Sequence, residues 1–323
     1  MFFSRMRDHG GLDKALVKEL KSCCAREGYF LPSKSGLKMI EISENGVSAK
    51  CRDAQVEELW GLTSFHGYSM QTFVRAVNLF DRFLTLVKAE PKHVPLVSVC
   101  CLGLAARVTE EAADVAPSHQ PLGRFSTSEL LRTEEALALQ LGSDTPAPTA
   151  FTFLHLYYSA LDSACHDEGT EIPNVAKLEA QLKACLCRLV FAKAKPSVLA
   201  LALVANDMGN LQSPAATEVV RQLQRLAKVG NSDLRHWRNL VAKRMTEYRS
   251  TRCHKPDGRK LVWPLSKRTV RSLRAAHCAT PGLPTIPEDA WDQSEEDTSG
   301  AEDSPCGSLG SVGEGTFFPL SYL

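Results

Sequence analysis

The sequence lacks the features that carry a chain into or through a membrane. No apolar run approaches the ~20 residues that a helix needs to span a bilayer. The longest run, Val94–Ala106, is interrupted by Pro95 and Ser98, and this composition predicts a buried core helix. The first residues, Met1–Asp8, have no apolar core of the kind that a signal peptide needs. We therefore expect no membrane partner and a location in the cytoplasm and nucleus.

Motifs of catalysis are also missing. There is no glycine-rich phosphate loop, no strained turn that presents a nucleophilic serine, and no His-Glu zinc helix. The nine histidines are scattered, and His155 lies in an apolar stretch that favours a packed helix residue over a ligand. We predict that the protein is not an enzyme and that it uses no cofactor.

The cysteine pattern favours neither disulfides nor a metal site. The 11 cysteines are odd in number, and most fall on predicted helices, where a thiol in a reducing compartment acts as a small buried apolar group. The adjacent pairs Cys253-His254 and His277-Cys278 lack the spacing of zinc ligands. We predict that the protein binds no metal.

Charge of neither sign dominates the chain as a whole. The net charge is +1 and 44% of the residues are hydrophobic, which gives no general attraction to nucleic acid or membranes. Residues 243–274 nevertheless contain 11 Lys or Arg against two acids, whereas residues 288–323 contain nine acids and no Lys or Arg. That acidic tail has few apolar residues to offset its ordering entropy, so we expect it to be disordered.

The basic segment is open to two interpretations. Its Lys and Arg residues are typical of nucleic-acid contact or nuclear import. Apolar residues such as Trp263 lie between them and favour a strip that packs along the preceding helices. We prefer the packing role and expect no nucleic-acid partner.

What the sequence does contain is a series of helical patterns, and we predict an all-α fold. The first five helices are predicted at Leu12–Arg26, Arg52–Phe65, Ser69–Val87, Pro95–Glu110 and Ser126–Leu141. Five more are predicted at Ala150–Ser163, Val175–Lys193, Pro196–Met208, Pro214–Val229 and Asp233–Tyr248. Ser69 is a predicted N-cap, and Ser126 with Glu129 forms a capping box. Gly28 is predicted to end the first helix, and residues 29–50 are predicted to be a polar connection.

The two sets of helices indicate a tandem repeat. Lys92-x-x-Pro95 precedes an apolar helix in the first set, and Lys193-x-x-Pro196 does so in the second. The proline-containing stretch Asp144–Pro148 is the predicted linker. We therefore divide the chain into an N-terminal helix and connection (1–50), a first helical box (51–143), a second box (149–250), a basic extension (251–287) and the acidic tail (288–323).

One charged residue lies inside an apolar helical face. The stretch Thr72–Leu84 has apolar residues at three- and four-residue spacing, with Asp81 among them. A charge in that setting must be paired or turned outward. We predict a buried ion pair between Arg52 and Asp81 that fixes the register of two neighbouring helices.

Three segments of the chain resemble a known family. Ala76-Val-Asn-x-x-Asp-Arg-Phe-Leu84, with Arg52 upstream, resembles the second helix of the cyclin box. Lys177–Cys185 and Phe191–Leu201 resemble the G-type cyclins, in particular the second member of that family. The resemblance implies two five-helix cyclin boxes with an N-terminal helix, and a non-catalytic cell-cycle regulator that binds a cyclin-dependent protein kinase and restrains growth.

The resemblance also assigns a function to two charged residues, which the sequence alone would place on a solvated surface. Arg107 and Glu134 match the positions of a Lys and a Glu with which cyclins grip the kinase near its regulatory helix. Here the Lys is Arg107, which keeps the charge and changes the donor geometry. A neighbouring methionine of the family is replaced by Thr133.

Cell-cycle cyclins further carry a shallow apolar groove on the first box helix, which docks substrate peptides. This chain has Cys51-Arg-Asp-Ala-Gln55 there, with Glu58 in place of a tryptophan. Because Gln55 and Glu58 serve a leucine pocket poorly, we expect that docking of Arg-x-Leu peptides is lost.

The acidic tail carries a second candidate function. Leu283-Pro-Thr-Ile-Pro-Glu288, followed by several acids, resembles the motif that B-prime regulatory subunits of a serine/threonine phosphatase bind. Its prolines favour an extended segment, so that Leu283 and Ile286 can fill pockets and Glu288 can meet a basic residue. The alternative function is therefore an adaptor that recruits this phosphatase.

Two serines of the tail are candidates for phosphorylation. Ser294 precedes acids and suits an acid-directed kinase, whereas Ser304 precedes a proline and suits a proline-directed one.

A third candidate function is DNA binding, because transcription initiation factors that contact DNA also use cyclin-like boxes. The near-neutral charge of the boxes argues against it, because phosphate binding needs a clustered positive face.

Overall fold

The computed structural model describes residues 12–249 except for residue 45 and residues 111–124, 143–146, 167–171, 173 and 210–213. Within these residues the secondary structure consists of α-helices and two short 3₁₀-helices, and no residue lies in a strand. The predicted all-α fold is confirmed, and the described helices belong to one compact unit.

Twelve α-helices lie in the part of the chain that the structure describes. The first set comprises α1 (Lys14–Arg26), α2 (Lys34–Ile42), α3 (Ala49–Phe65), α4 (Met70–Leu86), α5 (Val94–Thr109) and α6 (Thr127–Leu141). The second set comprises α7 (Ala150–His166), α8 (Val175–Leu186), α9 (Leu189–Ala192), α10 (Pro196–Met208), α11 (Pro214–Leu226) and α12 (Asn231–Arg249). The 3₁₀-helices are Glu27–Phe30, after α1, and Pro91–His93, before α5.

Several helices begin where their capping residues predict. The Ser69 hydroxyl accepts a hydrogen bond from the backbone N–H of Thr72 at the start of α4. Ser126 and Glu129 form the predicted reciprocal capping box at the start of α6. Helix α10 begins at Pro196, because proline fits the first helical position, where its missing N–H is not needed.

One helix lies at the centre of each set. Helix α4 buries Phe73, Val77 and Phe80 and packs against α2, α3, α5 and α6. Helix α10 buries nearly all of its residues and packs against α7, α8, α11 and α12. Because α4 also contacts α7 and α8, the buried side chains of the two sets form one continuous core.

One helical stretch of the described residues, Pro91–Thr109, is long and apolar enough to cross a membrane. It joins the second 3₁₀-helix to α5. Helix α5 packs against α3, α4 and α6 and buries apolar residues such as Val97 and Leu102. The stretch is a core helix of the fold, as its composition predicts.

The predicted polar connection over residues 29–50 is wrong, because α2 forms within it. Leu37 and Ile40 of α2 are buried and supply its short apolar face. Gly36, which in sequence marks a helix breaker, lies where α2 crosses α4. A Cβ at Gly36 would lie 2.4 Å from the carbonyl oxygen of Thr85, so the absence of a side chain permits this close approach.

The predicted single helix over Val175–Lys193 is also wrong. Helix α8 ends at Leu186, Arg188 is extended, and α9 begins at Leu189. A carboxylate oxygen of Asp53, on α3, accepts a hydrogen bond of 2.7 Å from the backbone N–H of Leu189. The break is therefore capped by a residue 136 positions earlier in the chain.

The predicted end of the first helix at Arg26 is confirmed, but the terminating role predicted for Gly28 is wrong. Beyond Arg26 the chain continues through Gly28 as a 3₁₀-helix. Glu27 turns inward there, and its carboxylate accepts hydrogen bonds from the backbone N–H and the hydroxyl of Ser197, at 3.1 and 2.8 Å. This contact joins the N-terminal helix to the start of α10.

Several sequence-based predictions lie outside the described residues. They concern residues 144–146 of the linker, the basic extension and the acidic tail. The predicted site residues among them are Leu283, Ile286, Glu288, Ser294 and Ser304. The Cys–His pairs Cys253-His254 and His277-Cys278 also lie outside the described residues.

We expect Gly36→Ala to lower the free energy of unfolding by about 1–3 kcal/mol, because the new methyl group overlaps the α4 backbone at Thr85. The matched control is Gly28→Ala, since a Cβ at Gly28 has no atom within 4 Å. Urea denaturation of the two variants measures the difference. Equal stability of both variants would contradict the close approach of α2 to α4.

Candidate functional site

Arg107 and Glu134 lie together on the surface formed by α5 and α6. Arg107 is in the last turn of α5, and its two terminal nitrogens lie 3.3 and 3.1 Å from the two carboxylate oxygens of Glu134. The arginine side chain is 38% exposed and the glutamate side chain 14%. Two parallel hydrogen bonds of this kind are available to a guanidinium and not to a lysine ammonium.

Apolar side chains border this ion pair. Val108 follows Arg107 and is 41% exposed, and Leu131, one helical turn before Glu134, is 51% exposed. We call Arg107, Val108, Leu131 and Glu134 the α5–α6 surface. A charged pair among exposed apolar side chains is suited to binding a protein.

The end of α5 is held in place by Glu110, a residue that sequence reasoning missed. One Glu110 carboxylate oxygen accepts hydrogen bonds of 2.8 Å from the backbone N–H and from the hydroxyl of Ser69, at the start of α4. It also accepts a hydrogen bond from the Thr72 hydroxyl. Partial burial raises the pKa of Glu110, but the hydrogen bonds from Thr72 and Ser69 outweigh it and lower the pKa below its ordinary value.

No local signal would have identified Glu110, because its partners lie about 40 residues earlier in the chain. Its carboxylate joins the C-terminal end of α5 to the N-terminal end of α4. An anion at a helix N-terminus is favourable, since the first backbone N–H groups there have no partner within the helix. Glu110 therefore fixes the turn that presents Arg107.

The thiol beneath the α5–α6 surface is not a nucleophile. Cys100 lies between the two helices and donates a weak hydrogen bond to the carbonyl oxygen of Leu130, at 3.7 Å. Burial raises the pKa of Cys100 to about 12, and the nearby Glu134 carboxylate adds to this effect. The thiol stays protonated near neutral pH, so this surface offers contacts and no reactive group.

Arg52 and Asp81 form a fully buried ion pair between α3 and α4. The Arg52 Nε and Nη2 atoms donate hydrogen bonds of 2.8 and 2.7 Å to the two carboxylate oxygens of Asp81. Burial lowers the pKa of the guanidinium, but the Asp81 carboxylate raises it above its ordinary value. The charge of Arg52 is therefore stable within the core.

Arg52 also reaches the second set of helices, which sequence reasoning did not predict. Its Nη1 atom donates to the carbonyl oxygen of Leu186, at 2.8 Å, and to Asp53, at 3.2 Å. Asp53 in turn caps α9 through Leu189. One side chain thus joins α3, α4 and the end of α8.

The groove position on α3 has a polar network. Gln55 is buried, and its side-chain nitrogen donates to Glu58, at 2.9 Å, and to the Ser98 hydroxyl, at 3.0 Å. These contacts occupy the place where the sequence comparison puts an apolar pocket. The loss of Arg-x-Leu docking stays a prediction, and this polar network is the observation that supports it.

The structure places His155 away from any cluster of metal ligands. Its Nε2 atom lies 2.8 Å from a carboxylate oxygen of Glu179, and its ring packs on Phe151 with 4.2 Å between centroids. Among the described residues, no group of three His, Cys, Asp or Glu side chains could hold a metal ion.

Several known proteins are similar to this chain in sequence or in fold. The family described as Cyclin, N-terminal domain, matches residues 20–145. Cyclin-G2 of Mus musculus is 41% identical over 92% of this chain and 88% of its own length. Cyclin-G1 of Mus musculus is 41% identical over 84% of this chain and 95% of its own length. A viral cyclin from herpesvirus saimiri has the same fold, with a TM-score of 0.54 and 18% identity over 72% of this chain and 99% of that one.

We expect Glu110→Gln to lower the free energy of unfolding at pH 7 by on the order of 1 kcal/mol, because it weakens charge-assisted hydrogen bonds to α4. The pKa of Glu110 is lowered in the folded state. Its contribution is therefore fully present above the ordinary glutamate pKa of 4.5 and disappears as the pH falls through the lowered value.

Urea denaturation at a series of pH values from 7 downward measures this effect. The gap between the native protein and Glu110→Gln should shrink below about pH 4.5. The control is Glu44→Gln, because Glu44 is exposed. A gap that stays constant with pH, or one matched by the control, would refute the role of the Glu110 carboxylate.

Proposed function

This chain belongs to the cyclin family, among the G-type cyclins, and we propose that it is a non-catalytic regulator that binds a cyclin-dependent protein kinase. The family membership makes it a cyclin-like regulator. Kinase binding and its consequence for growth are the further steps of the proposal. The observation that carries them is the α5–α6 surface, where Arg107 and Glu134 meet among exposed apolar side chains.

The α5–α6 surface has the properties that such a contact requires. A cyclin acts by pushing the glutamate-bearing helix of its kinase inward, which completes the kinase's own Lys–Glu pair. Moving this helix requires a rigid surface of sufficient area and no reactive group. Helix α5 is anchored through Glu110, so Arg107 and Val108 are presented on a fixed turn.

The mutual pairing of Arg107 and Glu134 sets the cost of engaging a partner. The guanidinium already donates two hydrogen bonds to Glu134, so a kinase group must share or replace those hydrogen bonds.

The polar groove on α3 supports the growth-restraining part of the proposal. A regulator that binds a kinase but lacks an apolar docking groove does not recruit the usual substrates to it. The Gln55 side-chain nitrogen donates there to the Glu58 carboxylate and to the Ser98 hydroxyl. The kinase in such a complex is diverted from those substrates, and its effect on growth is one of restraint.

The kinase contact can be tested with the double variant Arg107→Glu, Glu134→Arg. The exchange keeps an ion pair between the two positions, so the fold is preserved, while the polarity of the surface is reversed. Affinity recovery of the full-length protein from dividing cells should retain at least tenfold less kinase. The matched control exchanges the exposed pair of α11, with Glu218→Arg and Arg221→Glu. Unchanged kinase recovery would contradict this site.

A second candidate function is that of a phosphatase adaptor. The observation that favours it is the motif Leu283-Pro-Thr-Ile-Pro-Glu288 and the acids that follow. An extended proline-containing segment loses little entropy on binding, and the neighbouring acids steer it toward a basic surface. Phosphorylation of Ser294 or Ser304 would add negative charge to the tail. The two functions use separate parts of the chain and are compatible.

The adaptor function predicts that Leu283→Ala with Ile286→Ala removes a phosphatase B-prime subunit from the recovered material and leaves kinase recovery unchanged. The two side chains would otherwise fill adjacent pockets, and each truncation costs contact area. The control is Leu309→Ala with Val312→Ala, which removes apolar groups at the same spacing farther along the tail. If phosphatase recovery is unaffected by the first pair, the motif is not used.

A further inference from the structure

The exposed side of α2 carries an apolar stripe. Met39 and Ile42 lie one helical turn apart and are 64% and 61% exposed. The Cα of Thr85, on α4, lies 2.6 Å from the position that a Cβ of Gly36 would take, so the next residue, Leu86, lies beside α2. Leu86 is 56% exposed. Three large apolar side chains are therefore exposed together, on helices other than those of the α5–α6 surface.

Helix α2 presents this stripe rigidly. Its opposite side buries Leu37 and Ile40 in the core. The backbone N–H of Ser33, the N-cap of α2, donates a hydrogen bond of 3.1 Å to the Thr85 hydroxyl, and the absence of a side chain at Gly36 lets the two helices approach closely. A partner would therefore meet a preorganised surface, which lowers the ordering cost of binding.

Charges of opposite sign flank the two ends of the stripe. Lys38 lies on α2 directly before Met39, and Glu44 follows the end of the helix. Both are exposed, and within the part of the chain that the structure describes neither takes part in an ion pair. Glu41, by contrast, is already paired, because its carboxylate lies 2.7 Å from the Lys193 ammonium. One available cation before the stripe and one available anion after it make the surface complementary to itself.

Two copies of the chain related by a two-fold axis through α2 would pair both charges. In an antiparallel arrangement centred between Met39 and Ile42, Lys38 of one copy lies opposite Glu44 of the other, and the symmetry forms this contact twice. The two apolar stripes then face each other between the two ion pairs. Antiparallel helices also bring the N-terminal end of one α2, with its Lys34, near the negative C-terminal end of the other.

We propose that the protein associates with a second copy of itself through α2. Met39, Ile42 and Leu86 form the apolar contact, and Lys38 pairs with Glu44 across the two-fold axis. The dimer is weak, with half-association at roughly 10–100 µM, because three apolar side chains per copy bury less than the roughly 800 Å² per partner of stable interfaces. Since the α5–α6 surface lies on other helices, self-association is independent of kinase binding.

The test is sedimentation velocity of the full-length protein at about 1–300 µM, a range that brackets the expected dissociation constant. We expect Met39→Gln with Ile42→Gln to weaken self-association roughly tenfold, because the pair of substitutions removes apolar contact. Lys38→Glu and Glu44→Lys should each weaken it roughly threefold or more, since each places like charges opposite one another. The combined variant Lys38→Glu, Glu44→Lys should restore the native association, because the exchanged charges pair again across the axis.

The matched control is Leu139→Gln on α6, which replaces an apolar side chain that is 78% exposed and should leave self-association unchanged. All the substituted side chains are exposed, so the fold should tolerate the changes. A monomer over the whole concentration range would overturn the proposal, as would a dimer that survives the Met39 and Ile42 substitutions. A combined charge variant that associates no better than the single variants would also overturn it. So would a chain that stays monomeric and binds a different protein through α2.

Discussion

The buried guanidinium of Arg52 is the interaction on which the arrangement of helices depends. It binds Asp81 through two hydrogen bonds and reaches Asp53 and the carbonyl oxygen of Leu186 with a third nitrogen. Removing one partner of such a pair leaves an uncompensated charge in the core, at a typical cost of about 3–5 kcal/mol. Only one register of α3, α4 and α8 satisfies these contacts, so the ion pair specifies how the two sets of helices meet.

The α5–α6 surface follows from that fixed arrangement. Helix α4, held by Asp81, receives the end of α5 through Glu110, and α5 presents Arg107 beside Glu134. The same junction holds Leu186, and the Asp53 cap orients α9. Among the described residues, buried thiols such as Cys100 stay protonated. The α5–α6 surface is therefore held in a fixed arrangement and offers no reactive thiol.

The sequence predicts those features whose causes are local. The starts of α4 and α6 follow from Ser69 and Ser126, because a cap and its N–H partner lie within three residues. The apolar face around Asp81 requires a cation nearby, and the family resemblance supplies Arg52. By contrast, α2 and the break after Leu186 depend on partners far away in the chain.

Helix α2 could not be predicted because the close approach of Gly36 to Thr85, which makes this glycine a packing residue, is not visible in the sequence. The break between α8 and α9 could not be predicted because its cap, the Asp53 carboxylate, lies far away in the chain on α3. The candidate site divides in the same way, since Arg107 and Glu134 are ordinary solvated charges until α5 and α6 bring them together. The claim that the α5–α6 surface binds the kinase is tested most directly by hydrogen exchange of the full-length protein, measured with and without the kinase that is recovered with it from cells. The kinase should protect backbone amides in the last turn of α5 and along α6, whereas protection confined to α9 and α12, or none at all, would contradict the α5–α6 surface as the kinase site.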